Sequence, residues 1–304
     1  IFYYLHKNYS ISSHPEITLE ANPDDLTPDY IAMLRTLPFN RLSMGIQTFN
    51  ESILKVLQRR HTARQAIEAF QNCRAAGFQN ISIDLMYGLP GETLSTWQQD
   101  LDQALLLHPE HLSAYHLIYE EDTVLWKLRE QHKVEEADED LSVSLFSTLI
   151  DRLTSEGYDH YEISNFSLPG LYSRHNSSYW TEKKYLGCGP SAHSYNGVSR
   201  QWNVASLDTY IKGISAGTPV FEIEELDLYT RYNDFVITRI RTEWGMPLSK
   251  LRDEFGEKLY DYCLRMAAPH LKQGTLELVN DILKLTRKGI FISDGIMSDM
   301  LWTD

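Results

Sequence analysis

Apolar and polar positions alternate in short runs through the first 120 residues, and helical spacing fills the gaps between them. Residues 16–21 put Ile17, Leu19 and Ala21 on one side and read as a strand closed by Asn22-Pro23. Thr27 and Pro28 open a helix that carries Tyr30, Ile31, Leu34 and Leu37. Residues 41–48 form the next strand. Asn50 caps a helix through Leu54 and Leu57, and Thr62 caps another through Phe70 and Cys73 that Gly77 ends. In a third strand Ile81, Ile83 and Leu85 alternate with Ser82 and Asp84, until Gly88-Leu89-Pro90-Gly91 turns the chain. A helix over residues 95–107 and a strand over 111–119 follow. Strands separated by helices predict βαβ crossovers and a parallel sheet, open or closed into a barrel.

The pattern changes near residue 122. Residues 122–132 and 138–156 have helical spacing, and the acidic run Glu135 to Asp140 suits a solvated helix start. Residues 157–205 are rich in Tyr, Asn, Gly and Ser, a composition suited to ligand-facing loops. From Leu228 the chain is helical, and it closes on a strand pair over residues 283–294, as in a winged-helix module. The expected domains are an incomplete barrel over 1–156, a connecting region over 157–225 and a winged-helix-like domain over 226–304. The fold class is α/β.

Composition narrows the partners. The net charge of −14 argues against nucleic acid as the main partner, because phosphate binding needs a basic face. No apolar run reaches the roughly 18–20 residues of a membrane span, and the first residues lack a signal-peptide layout. Three widely spaced cysteines, Cys73, Cys188 and Cys263, fit a reducing compartment, so a cytoplasmic location is expected. Neither a Gly-x-Gly-x-x-Gly nor a P-loop motif occurs.

Four residues carry candidate chemistry. Glu20, Gln47, Arg59 and Asp84 follow one another at intervals of 27, 12 and 25 residues. Glu20, Gln47 and Asp84 fall on three successive strands, Arg59 on the helix after the second. Ligands of parallel α/β sheets meet the carboxyl ends of the strands. Two carboxylates, an amide and a guanidinium there suit a zwitterionic nucleoside: Arg for a carboxylate, the others for ribose hydroxyls and an ammonium. Taken alone, Asp84 reads rather as a cap for the turn behind it.

Glu20-Ala21-Asn22-Pro23, Gly45-Ile46-Gln47-Thr48-Phe49-Asn50, Arg59-Arg60-His61, the run Asp84 to Gly91 and Thr286-Arg287-Lys288-Gly289 together resemble the radical S-adenosylmethionine proteins related to oxygen-independent coproporphyrinogen III oxidase. The resemblance covers nearly the whole chain. It implies that Glu20, Gln47, Arg59 and Asp84 contact S-adenosylmethionine, with Ile118 in the fourth strand as a further contact. Arg174-His175-Asn176-Ser177-Ser178-Tyr179-Trp180 is similar to a His-Asn-x-x-Tyr-Trp motif of the haem-chaperone branch, which implies haem binding at His175 on a loop. Otherwise His175 and Asn176 bond backbone carbonyls while Tyr179 and Trp180 are core. His193 is a weaker candidate. Gly187-x-Gly189-Pro190 reads as close backbone packing. Ser173 stands where branch members often have Cys.

The family also implies a [4Fe–4S] cluster held by Cys-x-x-x-Cys-x-x-Cys, a run this sequence lacks. Its ligands are expected upstream of residue 1, because four visible strands of an expected six would leave sheet edges exposed; loss of the cluster in this member is the competing reading. The resemblance favours a haem chaperone that hands haem to an acceptor protein. A coproporphyrinogen III decarboxylase acting through a 5′-deoxyadenosyl radical is the alternative. A DNA-linked regulator fits the acidic charge poorly.

Overall fold

The computed structural model describes residues 1–303. They divide into two compact units, residues 1–160 with 164–173 and residues 161–163 with 174–304.

The first unit opens with α1 (Phe2–Asn8) and then alternates strand and helix: β1 (Thr18–Ala21), α2 (Pro28–Leu34), β2 (Arg41–Gln47), α3 (Glu51–Val56), α4 (Ala63–Ala75), β3 (Ile81–Tyr87), α5 (Leu94–Leu106), β4 (His111–His116), α6 (Val124–Glu130) and α7 (Glu139–Ser155). The helix starts are where the sequence puts them. Thr27, Asn50, Thr62, Thr93, Thr123 and Asp138 each accept an N-terminal backbone N–H, and Thr62 and Thr93 complete capping boxes. β1 to β4 pair in order and in parallel, as the alternating pattern predicts. β5 (Asp159–Glu162) and β6 (Asn165–Ser167) complete a mixed sheet in the order β1-β2-β3-β4-β6-β5, with β6 antiparallel to β4.

Register separates the sheet's two faces. Leu19, Leu42 and Ile81 align, as do Ala21, Met44, Ile83, Leu112 and Phe166. The interior strand residues of these two rows, Leu42, Met44, Ile81, Ile83, Leu112 and Phe166, are all fully buried. The alternate rows are polar: Glu20, Ser43, Ser82, His111 and Ser167 in one, Gly45, Asp84, Ser113 and Asn165 in the next. Ser82 Oγ lies 2.8 Å from His111 Nδ1, and Ser113 donates to Asn165 at 3.1 Å. The turn after β3 needs glycine twice in the left-handed region, at Gly88 and Gly91 (φ 72° and 74°). The buried carboxylate of Glu92 accepts the N–H groups of Gly88 and Leu89 at 2.7 and 3.3 Å.

The second unit contains α8 (Arg174–Trp180), an antiparallel sheet of β7 (His193–Tyr195), β8 (Ser199–Asn203) and β9 (Phe221–Glu225), and α9 (Leu207–Ser215) between the last two strands. Then come α10 (Leu228–Ile240), β10 (Met246–Pro247), α11 (Leu248–Gln273, kinked at Gly256), β11 (Leu276–Val279), β12 (Ile282–Leu285), α12 (Arg287–Ile290) and α13 (Ser293–Met300). Helices over a β10-β12-β11 sheet give the expected winged-helix-like layout around Tyr232, Phe235, Leu259 and Leu283. The strand pair ends at Leu285. Residues 287–300, read in part as strand from sequence, are mostly helical because Thr286 caps α12 through Gly289 N–H at 3.2 Å. Thr286 also donates to Gly274 O at 2.8 Å, and Lys288 reaches Gln273 O at 3.2 Å. The Thr-Arg-Lys-Gly segment thus ties the wing to the end of α11. Among the described residues no helix is long and apolar enough to cross a membrane.

Two measurements check these contacts. A Cβ on Gly289 would stand 1.9 Å from Thr275 O, so Gly289→Ala is expected to cost about 1–3 kcal/mol in denaturant unfolding. Burial pushes Glu92 up to about 7 from 4.5, against the pull of its two backbone N–H donors. The folded state therefore holds this proton to higher pH than the unfolded chain. Its contribution to stability is fully present below pH 4.5 and is lost as pH rises through about 7. Glu92→Gln is expected to gain in thermal midpoint relative to the parent as pH rises across that window. A pH-independent difference would contradict the assignment.

Candidate functional site

The end of β2 departs from regular strand geometry. A register shift between Gly45 and Gln47 interrupts the β2–β3 ladder, and Gln47 takes a left-handed φ of 71°. A glutamine in that region carries strain of order 1 kcal/mol that its surroundings must hold. Three side chains do so. Arg59 Nη2 donates to Gly45 O and to Asn22 Oδ1, both at 2.7 Å. His61 Nε2 lies 3.1 Å from Ile46 O. Asp100 accepts Thr48 Oγ1 at 2.5 Å and Phe49 N–H at 2.8 Å.

Gly45 is the floor of this cluster. A Cβ there would meet Gln47 Nε2 at 2.9 Å, Arg59 Nη2 at 3.5 Å and Asn22 Oδ1 at 3.9 Å. In register, Gly45 faces Asp84 and Glu20 faces Ser43. Ser43 Oγ lies 3.3 Å from both Asp84 carboxylate oxygens. Burial pushes Asp84 up to about 6, while the Ser113 and Ser43 hydroxyls and the Arg41 charge pull it down and the Glu20 carboxylate adds to the rise. Glu20 is exposed, whereas Gln47, Arg59 and Asp84 are half-buried. The fold therefore gathers Glu20, Gln47, Arg59 and Asp84 on one face of three adjacent strands.

In the first unit two placements differ from the sequence reading. Arg59 is in the connection between α3 and α4 rather than on a helix, because Gln58 (φ 54°) ends the helical run. Ile118 lies two residues beyond β4 and is 72% exposed. β4 stops at His116, whose imidazole turns to Leu117 O at 2.9 Å and Ser142 Oγ at 3.0 Å. Sequence reasoning missed Asn22, Ser43, His61 and Asp100 as supports. Asn22 stood in a recognised segment. Asp100, 52 residues from Thr48, carries no local signal.

In the second unit His175 sits on α8, not on a loop. A helical turn brings Tyr179 beside it, with the ring edge-on at 5.0 Å and Tyr179 Oη 3.1 Å from His175 Nε2. The aromatic contacts continue from Tyr179 to Tyr185 at 4.8 Å and from Tyr185 to Tyr195 at 6.0 Å. His175 and Tyr179 are exposed, while Trp180 turns inward. The Arg241 guanidinium stacks 4.3 Å from the Trp180 ring, and Arg241 Nε donates to buried Glu162 at 2.6 Å. Just past the helix, Glu182 receives Arg239 at 3.2 Å and Lys250 at 2.7 Å. The motif is thus split: Trp180 anchors, and His175 and Tyr179 face out.

The cysteines do not form a cluster cradle. Cys73 and Cys263 are buried in different units, with thiols that burial pushes up to about 11, and Cys188 is exposed. Among the described residues no group of three His, Cys, Asp or Glu side chains could hold a metal ion.

Comparison with known proteins joins both halves. The radical SAM superfamily matches residues 1–104, and the HemN C-terminal domain matches residues 226–292. The heme chaperone HemW of Lactococcus lactis is 32% identical over 95% of this chain and 76% of its own length. HemW of Bacillus subtilis is 30% identical over 94% and 76%. The solved structure of Escherichia coli coproporphyrinogen III oxidase, HemN, superposes with a TM-score of 0.81 over 97% of this chain and 72% of that one, at 22% identity, a likeness of fold. With domains of both kinds in order along the chain, and with relatives of this identity and coverage, the protein belongs to the HemW family of radical S-adenosylmethionine proteins.

Proposed function

We propose that this chain is a haem-binding chaperone that takes up haem at His175 and passes it to an acceptor protein, with S-adenosylmethionine bound in the first unit. The observation that carries the reading is the split motif: an exposed imidazole on a helix whose Trp180 is fastened behind it. Neutral imidazole is an iron ligand, and neighbouring rings offer a porphyrin flat contact. Relatives named heme chaperone support it. Tyr179 Oη sits 3.1 Å from His175 Nε2, so this hydroxyl must yield before that nitrogen can bind iron. Three free cysteines suit work in a reducing cytoplasm.

Glu20, Gln47, Arg59 and Asp84 are the residues to hold S-adenosylmethionine, with Ile118 as an outer contact. Arg59 would take the carboxylate, and the acidic and amide groups the ammonium and ribose hydroxyls. Gly45 keeps the floor open and Asp100 keeps Gln47 in place. The family's [4Fe–4S] cluster, which supplies reducing electrons when present, finds no ligand set among residues 1–303.

Hemin titration followed by absorbance tests the chaperone reading. His175→Ala should lose at least about tenfold in affinity, equivalent to about 1.4 kcal/mol, and unchanged binding would remove His175 as ligand. Tyr179→Phe should bind hemin a few-fold more tightly, since the lost hydrogen bond is worth about 0.5–1.5 kcal/mol. Calorimetry with S-adenosylmethionine tests the first unit. Asp84→Asn should weaken it about tenfold, equivalent to about 1.4 kcal/mol. Parent affinity should fall as pH drops through about 6, where Asp84 takes up its proton and loses its charge.

A further inference from the structure

The antiparallel sheet of the second unit ends on an open edge. β9 pairs with β8 alone among the described residues. All five of its residues are exposed, Phe221 by 43% and Ile223 by 54%. The ladder fixes which backbone groups are in use. Val204 N–H donates to Val220 O at 3.1 Å, and Leu226 N–H donates to Val198 O at 2.9 Å. Bonded and non-bonded pairs alternate in an antiparallel ladder, so Glu222 and Glu224 turn their N–H and C=O groups to β8. Phe221, Ile223 and Glu225 turn theirs outward, where no partner is found among the described residues.

Side chains alternate along the same edge. Phe221 and Ile223, opposite Asn203 and Gln201, share one face of the strand. Glu222 and Glu224, opposite Trp202 and Arg200, share the other. Arg200 stands 3.8 Å from Glu224 and is drawn to Asp234 instead, and Glu222 has no ion pair among the described residues. Before the strand, α9 adds Leu207, Ile211 and Ile214, exposed and spaced along one helical face. Gly213 seats that helix: a Cβ there would stand 2.9 Å from Thr218 O, and Thr218 N–H donates to Gly213 O at 2.9 Å. Exposed apolar residues beside unpaired strand backbone are the kind of surface that a partner covers.

We propose that β9 is a docking edge for another polypeptide, which adds an extended strand with Lys or Arg facing Glu222 and Glu224 and apolar residues facing Phe221 and Ile223. Main-chain bonds to residues 221, 223 and 225 supply affinity, and the alternation of side chains supplies selection. The glutamates decide the class of partner. Like charges directly opposite one another destabilise a strand pair, so two copies of this chain, each with this acidic edge, are poor partners. The same carboxylates oppose an anionic membrane surface, which attracts Lys and Arg. A basic strand meets neither penalty. The edge involves no haem, so it stands or falls apart from the haem-chaperone reading.

The test is titration of the whole chain with an end-capped peptide of alternating valine and lysine, read by calorimetry and by backbone amide shifts. The peptide should bind, with its largest shifts at Phe221, Ile223 and Glu225. Replacing its lysines by glutamate, or N-methylating its backbone, should each weaken binding at least about tenfold. Ile223→Pro removes an outward N–H and no bond to β8, so the strand is kept and peptide affinity should fall by a similar factor. Glu222→Lys, a change to an exposed side chain, should weaken the lysine peptide several-fold. The proposal is overturned if the lysine peptide does not bind, if the glutamate or N-methylated peptide binds as tightly, or if the shifts fall on other residues. Self-association of the parent through β9, or binding to vesicles of anionic lipid in place of the peptide, would overturn it as well.

Discussion

Buried polar atoms on one face of a parallel sheet set the terms for everything else in the first unit. Leaving such groups without partners costs on the order of 1–3 kcal/mol each, and this face carries Ser43, Ser82, Asp84, His111, Ser113, Asn165 and Ser167. Neighbouring strands satisfy several of them across the register: Ser82 with His111, Ser113 with Asn165, Ser43 with Asp84. A one-residue slip would carry these side chains to the helix-covered face and bring Leu42, Met44 and Ile83 into their place. Register, polarity and the position of Asp84 are therefore one constraint. The same burial that enforces it pushes Asp84 up to about 6, near enough to neutrality for a bound cation to decide its charge.

The left-handed Gln47 depends on that frame. The backbone on either side of it is held from two segments, by Arg59 and His61 in the connection between α3 and α4 and by Asp100 on α5. Arg59 has two duties, since the guanidinium proposed to meet a ligand carboxylate already bonds Gly45 O and Asn22 Oδ1. Its remaining nitrogens include a buried Nε without a partner, which leaves donor capacity unused. The cluster is thus held in place by the protein's own contacts, as a preorganised site requires.

Much of this was legible in the sequence. Alternation at Ile81, Ile83 and Leu85 located β3, and caps such as Thr27 and Thr62 located helix starts to within a residue or two. Alternation also says which residues share a face. It does not say that both faces are buried, because Ser82 or His111 looks solvent-facing until a strand is paired on each side. His175 reads as loop in the sequence because seven residues with polar side chains in the middle give no apolar stripe. Its helix comes from what Trp180 packs against, a residue far along the chain at Arg241. The Thr48–Asp100 contact has the same character: chemistry with no local periodicity to announce it. The resemblance supplies the candidate residues, and the sheet register brings Glu20, Gln47, Arg59 and Asp84 near one another. Ile118 remains an exposed position past the strand end.

A seven-residue helix has little stability of its own in water. The α8 motif therefore borrows its shape from Arg241 and Glu162 behind Trp180, and from Arg239 and Lys250 on Glu182. The motif is consequently not portable. A synthetic peptide with these residues, or a graft of them onto another scaffold, would keep the histidine and lose the direction in which it points. The true unit of inheritance is a discontinuous one, in which Glu162, Arg239, Arg241 and Lys250 belong to the motif as much as the letters between His175 and Trp180 do.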